Sequence, residues 1–532
     1  MRKLFLVSLL FLILSVPVMS APAGEVHLID NPGSNDYVKY YLEPPVNASA
    51  LEKEISRGEL EPELRTAKTE GGVKQLKYSV SMGERTGLLS RSVDLERLAP
   101  LNISRAENFT VSYDSSAAVR GPVERTGGDF LQDRYRVKKL SGSLEYRVPG
   151  STAGLSAVSL LALLVLPFTA FRYYARRVEK MELEKEEKVH RLNRAAIFGI
   201  SPLMVLLLPV VFESGMVLVS RMVFSSVLPV SGINLALVGI MGAILVPVLG
   251  AGGSAFLGIY PSLKRIRDLD TSRKGGVKKF LAGMGLVLVP VAGWQFLVVN
   301  LPAGFASSLP VLLVAFGAFI LGVMALSPYL MMVFQSSRST EGEIREELEE
   351  FCGAQGLELR DIRTIEARGM KNANAVVAGT VPGFNYVFIT DYLLDNFSRD
   401  EIEAVLAHEL GHLERHHLWI KGGAGFVFFG AWMALVTRTS LVSPVMDVAG
   451  FYGFMGLIMA VLAFYFLGVQ GFISQKLEYE ADRHAAEIKG EEVTRSALEK
   501  LADANDMKRS AGRLYSLARL HPSIEDRLEK LG

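Results

Sequence analysis

His408-Glu409-Leu410-Gly411-His412 holds the residues whose types and spacing point most directly to chemistry. Residues four apart on an α-helix stack above one another, so His408 and His412 can offer imidazole nitrogens to one metal ion. Glu409, one position round from His408, is displaced from the ligand line but can reach a water at an open coordination position. With eight histidines in 532 residues, chance places this pattern in only roughly one such chain in a hundred. The chemistry it implies is zinc-assisted hydrolysis.

The elements that must position these groups are legible nearby. Ser398-Arg399-Asp400-Glu401 reads as a capping box that starts a helix. Ile402, Val405, Leu406, Leu410 and Leu413 then recur at helical spacing, and neither Pro nor Gly intervenes before Gly411. A catalytic zinc also needs a third protein ligand and an open position. The carboxylates to consider lie in Leu477-Glu478-Tyr479-Glu480-Ala481-Asp482-Arg483-His484. Spacing alone does not choose between Glu478 and Glu480. His416 and His417 extend the histidine cluster and read as interfacial, because one zinc ion cannot span three helical turns. His484 falls off the face of Glu478 and reads as structural.

In these segments the chain resembles the integral-membrane zinc metalloprotease family of HtpX and the type I CaaX prenyl endopeptidase. That family pairs HExxH with a downstream Glu-aromatic-x-Ala-Asp, which Glu478-Tyr479-Glu480-Ala481-Asp482 matches at every defined position. The resemblance implies Glu478 as third ligand and Asp482 as an acceptor that orients a ligating histidine. Asn374-Ala375-Val376-Val377-Ala378 resembles the family's strand ahead of the zinc helix, with Val376 where an aromatic residue is usual. His521-Pro522, followed by Arg527, resembles its C-terminal His-Pro…Arg element. These four ordered motifs cover roughly residues 340–532 and say little about residues 1–335.

At 49% hydrophobic residues and a mean hydropathy of +0.27, the chain is too apolar for an ordinary soluble enzyme. A net charge of +1 gives no reason to expect a nucleic-acid partner. The single cysteine, Cys352, rules out an intramolecular disulfide and a cysteine-based zinc site. It reads as a small apolar residue on a helix over 343–351.

Arg2-Lys3, the apolar run 4–18 and the small residues Ser20 to Ala23 read as a signal peptide or anchor over 1–23. Residues 24–150 then form a small β-rich extracytoplasmic domain, with strands expected at 73–80 and 144–148. The Asn-x-Ser/Thr triplets at Asn47, Asn102 and Asn108 suit an exported surface. No catalytic cluster appears there, and its lone His27 reads as an exposed side chain. Uncharged runs long enough to cross about 30 Å of hydrocarbon fall at 153–171, 195–212 and 234–260, twice within 280–337, and at 418–437 and 448–471. Residues 151–337 thus form a five-span region, and 338–532 a protease domain interrupted by a transmembrane hairpin (about 418–471). Eight Lys/Arg in 172–194 and seven in 264–279 place those loops, and with them the zinc segment, in the cytoplasm.

The resulting expectation is a multi-pass α-helical membrane protein of the cell membrane with a cytoplasmic α+β zincin-like metalloprotease domain. One Zn²⁺ per chain would be held by His408, His412 and Glu478, lowering the pKa of water toward about 7. Glu409 would act as general base, and His521 as a donor to the oxyanion. Asn374 to Ala378 would pair as an edge strand with an extended polypeptide, itself a membrane-associated or misfolded protein. Asp482 and Arg527 would orient the ligands. Two alternatives are a receptor or transporter with a relic zinc fold and a dedicated CaaX-type maturation peptidase. The intact Glu409 argues against the relic.

Overall fold

In the computed structural model the described residues are 24–531, except 30–35, 57–61, 71–72, 81–83, 103–107, 129–131, 197–209, 228–234, 300–307, 380–383, 437–449, 451–452, 455, 459 and 508–521. The expected signal segment and His521 therefore lie outside the described residues.

The amino-terminal third is built from two sheets. Strands β1 (Glu25–Ile29), β2 (Asp36–Leu42), β3 (Glu63–Glu70), β4 (Val73–Val80), β5 (Glu84–Gly87), β6 (Ser90–Asp94), β7 (Asn108–Asp114), β8 (Ala118–Arg120), β9 (Val123–Gly128), β10 (Gln132–Val137) and β11 (Ser143–Arg147) follow one another. They pair in the orders β3-β4-β2-β1-β7-β10-β9 and β5-β6-β11-β8. Period-two alternation aims Val26, Leu28, Val38, Tyr40, Leu76, Tyr78 and Val111 into one core. Leu218 and Met222 of the helix Met216–Val227 join that core.

His27 is not the exposed side chain expected. It is 6% exposed, because β1 pairs in parallel with β7 and sets His27 opposite Thr110. Its ring nitrogens lie 3.1 Å from Thr110 Oγ1 and 2.7 Å from Ser112 Oγ. Neighbours more than eighty positions away are invisible to sequence periodicity.

Five helical stretches among the described residues are long and apolar enough to cross a membrane: Gly150–Glu179, Arg273–Trp294, Leu309–Phe334, His417–Leu435 and Gly456–Lys489. They coincide with five of the seven expected segments. The second expected span falls mostly on residues 197–209, outside the described residues, and the helix Leu235–Arg267 occupies the third.

The zinc motif belongs to a unit of sheet and helices that follows the helix Leu309–Phe334. Its sheet, in the order β12-β13-β15-β14, is made of β12 (Ser337–Ser339), β13 (Leu359–Ile365), β14 (Ala375–Ala378) and β15 (Asn385–Thr390). Against it pack α1 (Glu343–Ala354) and α2 (Arg399–Glu414), burying Leu348, Cys352, Ile362, Val387, Ile389, Val405 and Leu406 together. Further helices among its described residues are Asp391–Asn396, α3 (His417–Val436), α4 (Gln470–Lys489), α5 (Glu491–Ala504) and α6 (Ile524–Leu531).

The capping box forms as its sequence requires. The Ser398 amide donates to Glu401 Oε2 at 2.8 Å, and the Glu401 amide to Ser398 Oγ at 3.3 Å. Glu401 also accepts from Lys500 Nζ at 2.7 Å and Ser496 Oγ at 2.9 Å on α5. Burial raises its pKa, but these donors outweigh burial and hold the carboxyl down at about 2. A depressed carboxylate stabilises the fold fully above its unfolded value of 4.5, and that contribution is lost as pH falls toward about 2. Glu401→Gln should therefore cost about 2 kcal/mol near neutral pH, with the deficit shrinking as pH drops below 4.5. Thermal unfolding across pH checks this; a deficit independent of pH would contradict it.

Candidate active site

α2 and α4 meet through small residues. Ala404, Ala407 and Gly411 are buried along α2, and Ser474, Ala481 and Ala485 along α4. At Gly411 the two backbones all but touch. A Cβ there would lie 3.0 Å from the His484 Cβ and 3.2 Å from the Ala481 Cα. This crossing sets the face of α4 that carries Glu478 beside the two histidines of α2.

His408 Nε2 lies 3.6 Å from Glu478 Oε2, and His412 Nε2 lies 3.5 Å from Glu478 Oε1. One ligand atom from each residue falls within 4.8 Å of the others. Ligands about 2.0–2.1 Å from a tetrahedral zinc stand about 3.4 Å apart, so the spacing fits that ion. Glu478 is only 2% exposed, and a carboxylate so deeply buried requires a cation or strong donors. Two imidazoles and one carboxylate are the donor set of a hydrolytic zinc site. Glu480, the alternative left open by spacing, points elsewhere: its Oε2 is 3.4 Å from His417 Nε2.

The far side of the His408 ring is also held. Its Nδ1 lies 2.9 Å from Asp482 Oδ1. Arg527, on α6, clamps Asp482 with two hydrogen bonds, Nε to Oδ2 at 2.7 Å and Nη2 to Oδ1. Burial opposes charge on His408, but Asp482 and Glu478 outweigh it and hold its pKa up at about 9. Burial, and then the charge on His408, push His412 down to about 3.

Glu409 sits half-buried on the same turn. It lies within charge-interaction range of Lys421 and Arg527. Lys421 has no signal in the sequence; only the approach of α3 brings it near.

β14 is the edge of its sheet and pairs antiparallel with β15, Ala375 opposite Ile389 through Ala378 opposite Tyr386. Asn374 stands just ahead of β14, opposite Thr390. Its carbonyl accepts from the Thr390 amide at 2.9 Å, and its amide donates to Thr390 Oγ1 at 3.0 Å. Because pairing alternates along an antiparallel ladder, Ala375 and Val377 then turn their main-chain groups to the open edge.

The remaining histidines divide. His416 takes φ +55°, ends α2 and leaves the ligand face. His417 was expected at an interface but is 1% exposed, with its Nδ1 2.7 Å from His412 Nδ1. His484 packs on Gly411 and lies 3.6 Å from Glu414 Oε2.

Residues 338–532 match the model of Peptidase family M48. Over those residues the chain is similar to that family. The chain is similar to Protease HtpX of Mannheimia succiniciproducens, 28% identical over 179 residues, covering 30% of this chain and 63% of that protein. The Protease HtpX homolog of Desulfotalea psychrophila is 28% identical over 198 residues, 33% of this chain and 68% of that protein. That of Campylobacter concisus is 30% identical over 192 residues, 30% and 63%. The chain thus spans about two thirds of the length of these relatives, 63% for the first. The crystal structure of Ste24p from S. mikatae matches 72% of this chain and 99% of its own at a TM-score of 0.53 and 19% identity. That likeness is one of fold, and at 72% of the chain it covers more than the M48 segment alone.

The tight crossing yields a test. Gly411→Ala should raise helix propensity by about 1 kcal/mol yet weaken divalent-metal binding, because its Cβ forces α4 and Glu478 away from the histidines. Chelator competition measures this; unchanged affinity would mean that the crossing does not govern the site.

Proposed function

We propose that the protein is a membrane-embedded zinc metalloendopeptidase that hydrolyses peptide bonds of membrane-associated or misfolded proteins at the cytoplasmic membrane face. The convergence of His408, His412 and Glu478 beside Glu409 carries this reading. When bound, one zinc per chain activates water and polarises the scissile carbonyl.

The chain's own residues supply the rest. Glu409 accepts the proton of the attacking water and returns it to the leaving amine. His408 and His412 present Nε2 to the metal, and Asp482, held by Arg527, fixes the ring of His408. His521 is the candidate donor to the developing oxyanion. Ala375 and Val377 offer the outward main-chain groups with which an extended substrate pairs; that mode reads backbone and tolerates many sequences. Asn374 ties the start of the strand to Thr390.

Membrane-associated substrates are favoured by the reach of the site. His412 precedes His417, the first residue of an apolar helix, by one turn and a kink, and Glu478 stands on the continuation of another. The cytoplasmic assignment draws support from the two basic loops. Lys185 and Arg267 both bind Asp506, each at 2.7 Å, and Arg267 Nη2 donates to the Lys371 carbonyl at 2.8 Å. Loops that the positive-inside rule assigns to the cytoplasm thus grip the zinc unit itself.

Elemental analysis and peptide hydrolysis, run on the same variants, test the roles. Glu409→Gln should keep one zinc and lose about 10²–10⁴-fold in rate. Glu478→Ala should lose the metal, whereas Glu480→Ala should retain it at saturating zinc. His521→Ala should retain zinc and turn over slowly, and Val377→Pro should raise KM. Zinc retained by Glu478→Ala would refute the ligand assignment. For orientation, a membrane-impermeant thiol reagent on intact expressing cells should label Leu88→Cys but not Glu350→Cys. Labelling of the latter would place the protease outside.

A further inference from the structure

We propose that His417 is a positioning residue of the metal site, accepting a hydrogen bond from His412 and so fixing the tautomer and ring plane of that ligand. The inference rests on the reading of His408, His412 and Glu478 as zinc ligands.

The two Nδ1 atoms of His412 and His417 stand 2.7 Å apart. Two ring nitrogens at that distance must hold one proton between them. His412 turns its Nε2 toward Glu478, and an imidazole that ligates through Nε2 carries its proton on Nδ1. His412 is therefore the donor and His417 Nδ1 the acceptor. A neutral His417 must then carry its own proton on Nε2. That atom is buried without a hydrogen bond, with Glu480 Oε2 3.4 Å away. A shift of a few tenths of an ångström completes a chain in which His412 donates to His417 and His417 to Glu480.

This arrangement is built by the backbone. On an uninterrupted helix, residues five apart point about 140° away from one another. The left-handed turn at His416, φ +55°, breaks α2 and restarts the chain as α3, which folds the His417 ring back against His412 with centroids 4.9 Å apart. The two ligating histidines are thereby held in different ways. His408 leans on a carboxylate locked by Arg527, and His412 leans on a neutral imidazole at the head of an apolar helix.

Zinc dissociation constants of the full-length, detergent-solubilised chain, measured by competition with a chromogenic chelator, test the assignment. His417→Leu, similar in bulk but unable to accept, should bind zinc about 10–100-fold more weakly. His417→Asn, whose amide oxygen can accept near the position of Nδ1, should stay within about threefold of wild type, as should Glu480→Gln, which keeps an acceptor for Nε2. A role in packing alone predicts the reverse order, with the smaller Asn more harmful than Leu. Melting of the metal-free proteins monitors the fold; if His417→Leu melts early, His417→Ala carries the same comparison with the same expected loss. Wild-type affinity in His417→Leu, or equal losses in the Leu and Asn variants, would overturn the inference. If His408→Ala and Glu478→Ala also bind zinc as wild type does, the ligand reading itself fails; if they lose zinc while His417→Leu keeps it, only this inference does.

Discussion

A carboxylate buried against two imidazoles is the interaction on which the rest of the zinc unit depends. Glu478 has almost no access to solvent, and a charge in that position is tolerated only beside a cation. The surroundings are arranged to hold that constraint. Gly411 lets α2 and α4 approach to backbone contact. The capping box and the Lys500 and Ser496 bonds fix the start of α2 against α5. Arg527 brings the last helix onto Asp482 and closes the side of the site behind His408.

The same two helices connect the site to apolar spans. α4 is the end of a helix that begins at Gly456, and α3 starts within three residues of the end of α2. A rotation of either span would move a ligand, so the metal geometry and the seating of the spans are mechanically one problem. The loop around Arg267 adds a second attachment by bonding to Asp506 and to the Lys371 carbonyl, just ahead of the edge strand. The β-rich portion packs instead on the helix Met216–Val227. Its buried Glu25, His27, Thr110 and Ser112 form a polar seam within a sheet whose other face supplies the core.

The sequence by itself determined whatever depends on local periodicity and capping. Ser398 and Glu401 sit three apart and can satisfy one another only at a helix start, so α2 and the alignment of His408 with His412 followed from a dozen residues. Long apolar runs fixed the five described spans for the same reason, since hydrocarbon leaves the backbone no partner but itself. Resemblance to a family, rather than spacing, supplied Glu478 as a candidate ligand and Asp482 and Arg527 as the residues that orient the ligands.

Tertiary structure decided every relation between residues far apart in the chain. Glu478 and Glu480 differ by two positions and face opposite directions, but which faces the histidines depends on how α4 crosses α2, more than sixty residues away. His417 lies five residues after His412, where helical geometry points it away. Only the left-handed turn at His416 returns it to the ligand. His27 reads as exposed until a parallel partner arrives from beyond residue 100. Local rules act over a few residues through fixed backbone geometry, whereas these contacts depend on packing that no short stretch contains.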